Sequence, residues 1–291
     1  MTAATEPENV PPELVIVLYS DPRDAVTAAV MHNAHRFACP VLAIGFTELI
    51  DSLVVNPCWS WHGRSIDPLR TAVINRLTSF DTGAIEPQLP PGFSQQRFWS
   101  SLHAELQAFA YVSSMPTAAS PLGGYGSLLD QWLDLPEQVP GLRVPAHQTP
   151  WTRGPLTGDV CAVNPWNLYS LGQRVSAGGP VPGAGQLVYA RPAGVLVHVA
   201  QVGGAVLFGS APPHMTPRQH ASIVAFTNAM RRVSRARILE HAFFVGSGEP
   251  VFYSTCPVPV ITGSLPQYAQ LVVQGLQDDF ARHRPARHAA A

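Results

Sequence analysis

The side chains available for chemistry in this chain of 291 residues include no lysine. All 18 basic residues are arginine, whereas a chain of this length normally holds on the order of a dozen lysines. Reactions that need a lysine ammonium, such as Schiff-base formation or phosphate binding by a P-loop lysine, are therefore excluded. Arginine remains suited to anions, because its planar guanidinium can donate two parallel hydrogen bonds to a phosphate or a carboxylate.

One arginine is predicted at a place where ligands commonly bind. Asn75 and Arg76 come near the end of an apolar strand predicted at residues 71–77. Open α/β sheets bind ligands beyond the carboxyl ends of their strands. Arg76 is therefore a candidate contact for an anionic ligand or cofactor, and an internal salt bridge is the alternative.

Two other groups combine residue types that bind metals or ligands. His32, His35 and Cys39 occur at helical spacing, and imidazole and thiolate are good transition-metal ligands. Packing or capping at a helix end is the alternative for them. Residues 58–62 place two tryptophans beside a thiol and an imidazole, which suits either ligand contact or ordinary strand packing. The four cysteines are far apart and predict no disulfide framework.

Apolar patterning predicts the elements that position these residues. Continuous apolar runs predict buried strands at residues 14–19 and 40–46, joined by a helix at residues 24–37. This β-α-β order implies a parallel sheet. Hairpin turns are predicted at residues 62–64 and 203–204. Further strands are predicted at 53–55, 58–61, 71–77, 160–163, 187–189, 195–200, 205–208, 240–245 and 250–253, a loop at 178–185, and helices at 97–115, 128–135, 222–232 and 267–283.

Composition narrows the class of protein. Apolar residues make up 46% of the chain, which is enough for a hydrophobic core. The sequence contains no run of about eighteen apolar residues, so no membrane-spanning helix is predicted. The formal net charge of −1 excludes the basic footprint of a nucleic-acid-binding protein. The acidic, proline-bearing start differs from a secretory signal, so a cytoplasmic protein is predicted.

The order of these elements resembles the ATP-grasp family. The β-α-β opening, the paired-tryptophan strand and the strand AVINRL at 72–77 are similar to the N-terminal lobe of that fold. Residues 141–149 (GLRVPAHQT) resemble the phrase that leads into its small nucleotide-clasping subdomain, and residues 186–210 resemble the hinge strand and hairpin that end it. The phrase GSGEPVFYSTCPVP at 246–259, with a helix on either side, is similar to the metal-binding part.

The resemblance covers most of residues 14–280 and implies an α/β fold of ATP-grasp type. The expected architecture has an N-terminal parallel-sheet lobe, a reduced small clasp and a C-terminal α+β lobe. The predicted segments are a disordered leader at 1–13, the N-terminal lobe with connecting helices at 14–150, the clasp at 151–211, the C-terminal lobe at 212–280, and a disordered tail at 281–291.

Members of this family use ATP and Mg²⁺ to activate a carboxylate as an acyl phosphate, which an amine or thiol then attacks. The resemblance places Asn164 where a phosphate-binding lysine usually stands, and His198 in the stretch that usually carries an arginine. Ser254 and Cys256 stand in place of the acid-x-Asn pair that binds magnesium, although this hard cation prefers carboxylate oxygens. The candidate cofactor contacts are thus Arg76, Asn164, Arg191 and His198, and Glu240 is the candidate metal ligand if the protein is active.

The leading hypothesis is therefore an ATP-grasp-like scaffold that is non-catalytic or strongly modified. It would bind a peptide, a nucleotide or a partner enzyme in peptide or natural-product modification, with ATP and Mg²⁺ as its doubtful cofactors. A second hypothesis is an active carboxylate–amine ligase. In it, Arg153, Arg174 or Arg191 binds the phosphates and Glu240 binds the metal. A third is a structural adaptor without a small-molecule site.

Overall fold

The computed structural model describes residues 13–37, 39–55, 59–67, 70–77, 127–148, 156–165, 167–175, 186–210, 212, 214–234, 238–256 and 259–282. The chain divides into two compact units. The first contains residues 1–123 and 263–291, and the second contains residues 124–262. The predicted segment boundaries at 150, 211 and 280 stay predictions.

Within the described residues, helices and strands follow one another along the chain as mixed α/β structure. The helices are α1 (Ala25–His32), α2 (Phe46–Ser52), α3 (Leu128–Gln138), α4 (Pro217–Ser234) and α5 (Pro266–Arg282). The strands are β1 (Leu14–Tyr19), β2 (Val41–Gly45), β3 (Leu53–Val55), β4 (Trp59–Trp61), β5 (Arg64–Ser65), β6 (Thr71–Arg76), β7 (His147–Gln148), β8 (Val160–Val163), β9 (Gln173–Arg174), β10 (Leu187–Ala190), β11 (Val195–Val202), β12 (Ala205–Phe208), β13 (Ile238–Val245) and β14 (Val251–Cys256).

The first unit contains the predicted parallel sheet, in the order β2-β1-β6. Most residues of its strands are apolar, as expected for strands that are covered on both faces. Helices α1 and α5 of this unit pack against each other. Strands β3, β4 and β5 form a separate antiparallel sheet. Its predicted turn is confirmed at His62 and Gly63, where φ values of 46° and 75° are typical of a tight hairpin turn.

One helix and one strand of the first unit differ from their predicted bounds. The helix predicted at 24–37 begins after Asp24, whose carboxylate accepts a hydrogen bond from the Thr27 backbone N–H. It ends at His32, because the Asn33 side chain donates to the Ala29 carbonyl and a short 3₁₀ turn follows. The strand predicted to reach residue 46 stops at Gly45, where α2 begins.

The second unit contains two antiparallel sheets, in the orders β7-β10-β8-β9 and β12-β11-β13-β14. One apolar core includes buried side chains of both sheets and of α3 and α4. The predicted hairpin at 203–204 joins β11 to β12. Helix α3 was predicted to end near Pro136, yet it continues to Gln138.

The predicted helix at 97–115 and loop at 178–185 lie outside the described residues. No helix in the described part of the chain is long and apolar enough to cross a membrane.

Candidate functional site

The strand register of the second unit brings the predicted metal-site positions together. Glu240 on β13 stands opposite Cys256 on β14, and Ala242 stands opposite both His198 on β11 and Ser254 on β14. Directly opposed residues of antiparallel strands present their side chains on the same face, and so do residues two apart along a strand. His198, Glu240, Ser254 and Cys256 therefore share one face of this sheet, which we call the Glu240 face.

The Glu240 carboxylate is buried and fully engaged by the chain itself. One oxygen, Oε2, accepts a hydrogen bond from the Thr262 backbone N–H at 2.6 Å and another from the Thr262 hydroxyl. The other oxygen, Oε1, accepts the backbone N–H groups of Val260 and Ile261, each at 3.3 Å. Residues 260–262 thus supply four donors to one carboxylate, and backbone N–H groups stabilise its negative charge in place of a cation.

Tyr169 is the residue of this site that the sequence did not indicate. It lies between β8 and β9, its ring stacks on the His198 imidazole with centroids 6.3 Å apart, and its hydroxyl interacts with Glu240 and Cys256. Burial raises the pKa of the Tyr169 hydroxyl far above its usual range, and the charges of Cys256 and Glu240 raise it further. Tyr169 is therefore neutral, and its phenol lies beside the buried Glu240 carboxylate.

His198 completes the cluster as a neutral group. Its Nδ1 lies 3.8 Å from Glu240 Oε1, which is too long for a hydrogen bond. Burial lowers the pKa of the imidazole, and the nearby carboxylate opposes this shift only in part. His198 consequently offers a flat ring to Tyr169 rather than a positive charge to a phosphate.

The residues of the Glu240 face do not fit a magnesium ion. A carboxylate has about four lone-pair positions, and four donors of residues 260–262 already point at Glu240. The Ser254 hydroxyl is also used, because it donates to the Leu168 carbonyl at 2.8 Å. Among the residues that the structure describes, no group of three histidine, cysteine, aspartate or glutamate side chains could hold a metal.

The other predicted cofactor contacts of the second unit are Arg191 and Asn164. Arg191 follows β10, and its guanidinium lies 5.8 Å from the centre of the Phe244 ring. Phe244 is four residues from Glu240 along β13, a separation of about 13 Å. Asn164 begins the segment that carries Tyr169, and its carbonyl accepts the Asn167 backbone N–H at 2.9 Å. Their predicted roles in cofactor binding stay predictions.

Arg76 belongs to the first unit, at the carboxyl end of the parallel sheet as predicted. Its Nε and Nη2 lie 3.1 and 2.8 Å from Oδ1 of Asp24, and the guanidinium lies over the Tyr268 ring. Both partners of this ion pair are almost fully buried. The geometry matches the internal salt bridge that was the alternative to ligand binding, and contact with a cofactor stays a prediction.

The remaining sequence candidates have separate surroundings. His32 ends α1, whereas His35 lies in the 3₁₀ turn that follows. Burial raises the pKa of Cys39 to about 11, so that its thiol is protonated at neutral pH. Trp61 and His62 form an edge contact with ring centroids 4.6 Å apart. Arg174 makes an exposed ion pair with Asp159 at 3.1 Å, while Cys58 and Arg153 lie outside the described residues.

Comparison with solved structures identifies the scaffold. The macrocyclase MdnC from Microcystis aeruginosa, bound with precursor peptide MdnA, matches with a TM-score of 0.55 and 12% identity over 91% of this chain and 99% of its own. The ATP-grasp ligase PsnB, complexed with a phosphomimetic variant of a minimal precursor, Mg and ADP, matches with a TM-score of 0.59 and 13% identity. The match covers 96% of this chain and 100% of the PsnB chain. PsnB complexed with precursor peptide PsnA2 and AMPPNP matches with a TM-score of 0.57 and 14% identity, over 94% of this chain and 100% of the PsnB chain.

At these identities the likeness shows the fold alone. The chain has an ATP-grasp-like scaffold, and the fold predicted from the order of its elements is confirmed. No protein-family model matches the sequence, and no curated protein matches it either.

Proposed function

We propose that this chain is a non-catalytic ATP-grasp-like protein that binds a peptide in a peptide-modification pathway. The observation that carries the proposal is that the Glu240 carboxylate accepts four hydrogen bonds from residues 260–262 of the chain itself. A ligase of this type needs a metal to compensate the charge on the transferring phosphoryl group. The one acid left at the predicted metal position has no lone pair available for that task.

The peptide part of the proposal is supported by the structural neighbours. MdnC and PsnB were both crystallised with precursor peptides, and they match this chain over more than nine-tenths of its length. The scaffold can therefore retain a surface for a peptide while the Glu240 face has lost its metal chemistry. Fold alone does not fix function, so this step needs its own measurement.

Nucleotide binding is tested by isothermal titration calorimetry with Mg·ATP and with Mg·ADP, together with a phosphate-release assay in the presence of an amine. We expect no saturable heat and no phosphate release. We also expect the midpoint of thermal unfolding to be the same in Mg²⁺ and in a chelator, because binding to the folded state alone would raise it. Saturable Mg·ATP binding with amine-dependent phosphate release would instead support the active-ligase hypothesis.

Peptide binding is tested with synthetic peptides translated from short reading frames adjacent to the gene. Each peptide carries a fluorescein label and is titrated with the protein, and its anisotropy is followed. We expect saturable binding of one peptide, unaffected by ATP, and no binding of its scrambled-sequence control. If no peptide binds while the protein forms a stable complex with another chain in size-exclusion chromatography, the adaptor hypothesis replaces this one.

A further inference from the structure

A short segment of the second unit, residues 167–170, is attached to the Glu240 face at both ends of Tyr169. The carbonyl before Tyr169, that of Leu168, accepts the Ser254 hydroxyl at 2.8 Å. The carbonyl after it, that of Ser170, accepts the Tyr253 hydroxyl at 2.5 Å. Two consecutive residues of β14 therefore hold the backbone on either side of the ring that covers Glu240.

A β-bulge explains how neighbouring residues of one strand reach the same segment. Side chains of successive strand residues normally point to opposite faces. The register changes between Ala242 and Phe243: Ala242 stands opposite Ser254, whereas Phe243 stands opposite Phe252. Tyr253 is the extra residue, and an extra residue re-aims the side chains around it. The bulge thus allows Tyr253 and Ser254 both to donate to residues 167–170.

The covering residue contacts each remaining polar group of the Glu240 face. The Tyr169 ring stacks on His198, and its hydroxyl interacts with Cys256 and Glu240. The segment has internal support, since the Ser170 backbone N–H donates to the Asn167 carbonyl at 3.2 Å. A ligand that reached Glu240 would have to displace this phenol.

We propose that residues 167–170 form a strap that closes the Glu240 face, with Tyr169 as its latch. The strap proposal and the proposed function concern the same Glu240 face, but the strap is argued from its own contacts. Small-molecule access to the buried Glu240 then requires release of the strap from Tyr253 and Ser254, and the same release increases the exposure of Cys256, which is only partly buried. Occlusion is a built-in property of the chain, separate from the loss of metal ligands.

The test measures the reactivity of Cys256 towards iodoacetamide under native conditions, with alkylation quantified by peptide mass spectrometry. Wild type is compared with the variants Tyr169→Ala, Tyr169→Phe and Ser254→Ala. Loss of one polar contact changes an opening equilibrium by about two- to tenfold, so Tyr169→Phe and Ser254→Ala should each raise the Cys256 rate by that factor. Tyr169→Ala also removes the ring and should raise it by more than about tenfold.

Cys161 provides an internal control, because it is a buried free thiol of the same unit. Its alkylation reports unfolding of the unit as a whole, and it should stay at the wild-type rate in all variants. A Cys256 rate that is unchanged in the three variants, or that rises in parallel with Cys161, overturns the strap. If Tyr169→Ala does not fold, Tyr169→Phe and Ser254→Ala decide the question. Mg·ATP binding by the wild type would refute the proposed function without bearing on this result.

Discussion

His241 provides a test of how much the second unit depends on a neutral buried imidazole. It lies on β13 with no exposed surface, opposite Val199 and Thr255 and on the other face from Glu240. Among the described residues, neither ring nitrogen has a hydrogen-bond partner. Burial lowers the pKa of His241 to about 3, from 6.5 in an exposed histidine. Folding therefore requires that this side chain give up its proton.

The sign and size of the effect follow from this difference. Below pH 6.5 the unfolded state binds a proton that the folded state binds only near pH 3. The free energy of unfolding contributed by His241 is therefore complete above pH 6.5 and falls as the pH decreases towards 3. Below pH 6.5 this contribution changes by up to about 1.4 kcal/mol per pH unit. The free energy of unfolding that His241 contributes therefore decreases by about 2 kcal/mol between pH 8 and pH 5.

The assay is urea denaturation followed by circular dichroism at several pH values between 5 and 8. His241→Leu removes the titrating ring, so its free energy of unfolding should fall by about 2 kcal/mol less than that of the wild type over this range. Thr255→Val is the matched control, because it alters the same buried face and keeps the imidazole. Its pH dependence should match that of the wild type. An unchanged slope in His241→Leu, or an NMR titration that places the folded pKa near 6.5, would refute the reasoning.

Three further substitutions test the packing described above, each by chemical denaturation. Asp24→Asn breaks a buried ion pair with Arg76 and should destabilise the first unit by about 3 kcal/mol; a loss under 1 kcal/mol would contradict this. Thr262→Val removes a hydroxyl donor to the buried Glu240 carboxylate and should cost about 2 kcal/mol, whereas Thr262→Ser should cost less. Gly172→Ala should cost more than about 2 kcal/mol, because φ is 71° and a Cβ would lie 2.1 Å from the Ala162 carbonyl oxygen.

Periodicity predicted most of the described elements because their apolar patterns are local. The parallel strand pair and both hairpin turns were found at or within a residue of the predicted positions. Helix α2 was not predicted, because its first apolar residues follow β2 directly and their pattern is that of a continuing strand. Pro136 was expected to stop α3, yet the helix continues past it to residue 138.

The candidate site was only half visible in the sequence. Glu240, His198 and Cys256 could be selected because the resemblance to ATP-grasp proteins gave each a position. Tyr169 could not, because its place depends on a bulge in β14 and on two carbonyl contacts more than eighty residues away in sequence. The saturation of Glu240 was hidden for the same reason, since its donors lie some twenty residues further along the chain.

The contact between α3 and β14 bears on how this protein can associate. Gln131 places its side-chain amide along the outer edge of the sheet, donating to the Thr255 carbonyl at 3.1 Å and accepting the Thr255 N–H at 2.8 Å. Trp132 donates to the next outward carbonyl, that of Tyr253, at 2.6 Å. These three bonds occupy the groups through which an incoming strand would pair. At this border an incoming strand therefore meets a Thr255 N–H and Thr255 and Tyr253 carbonyls that are already paired within the chain.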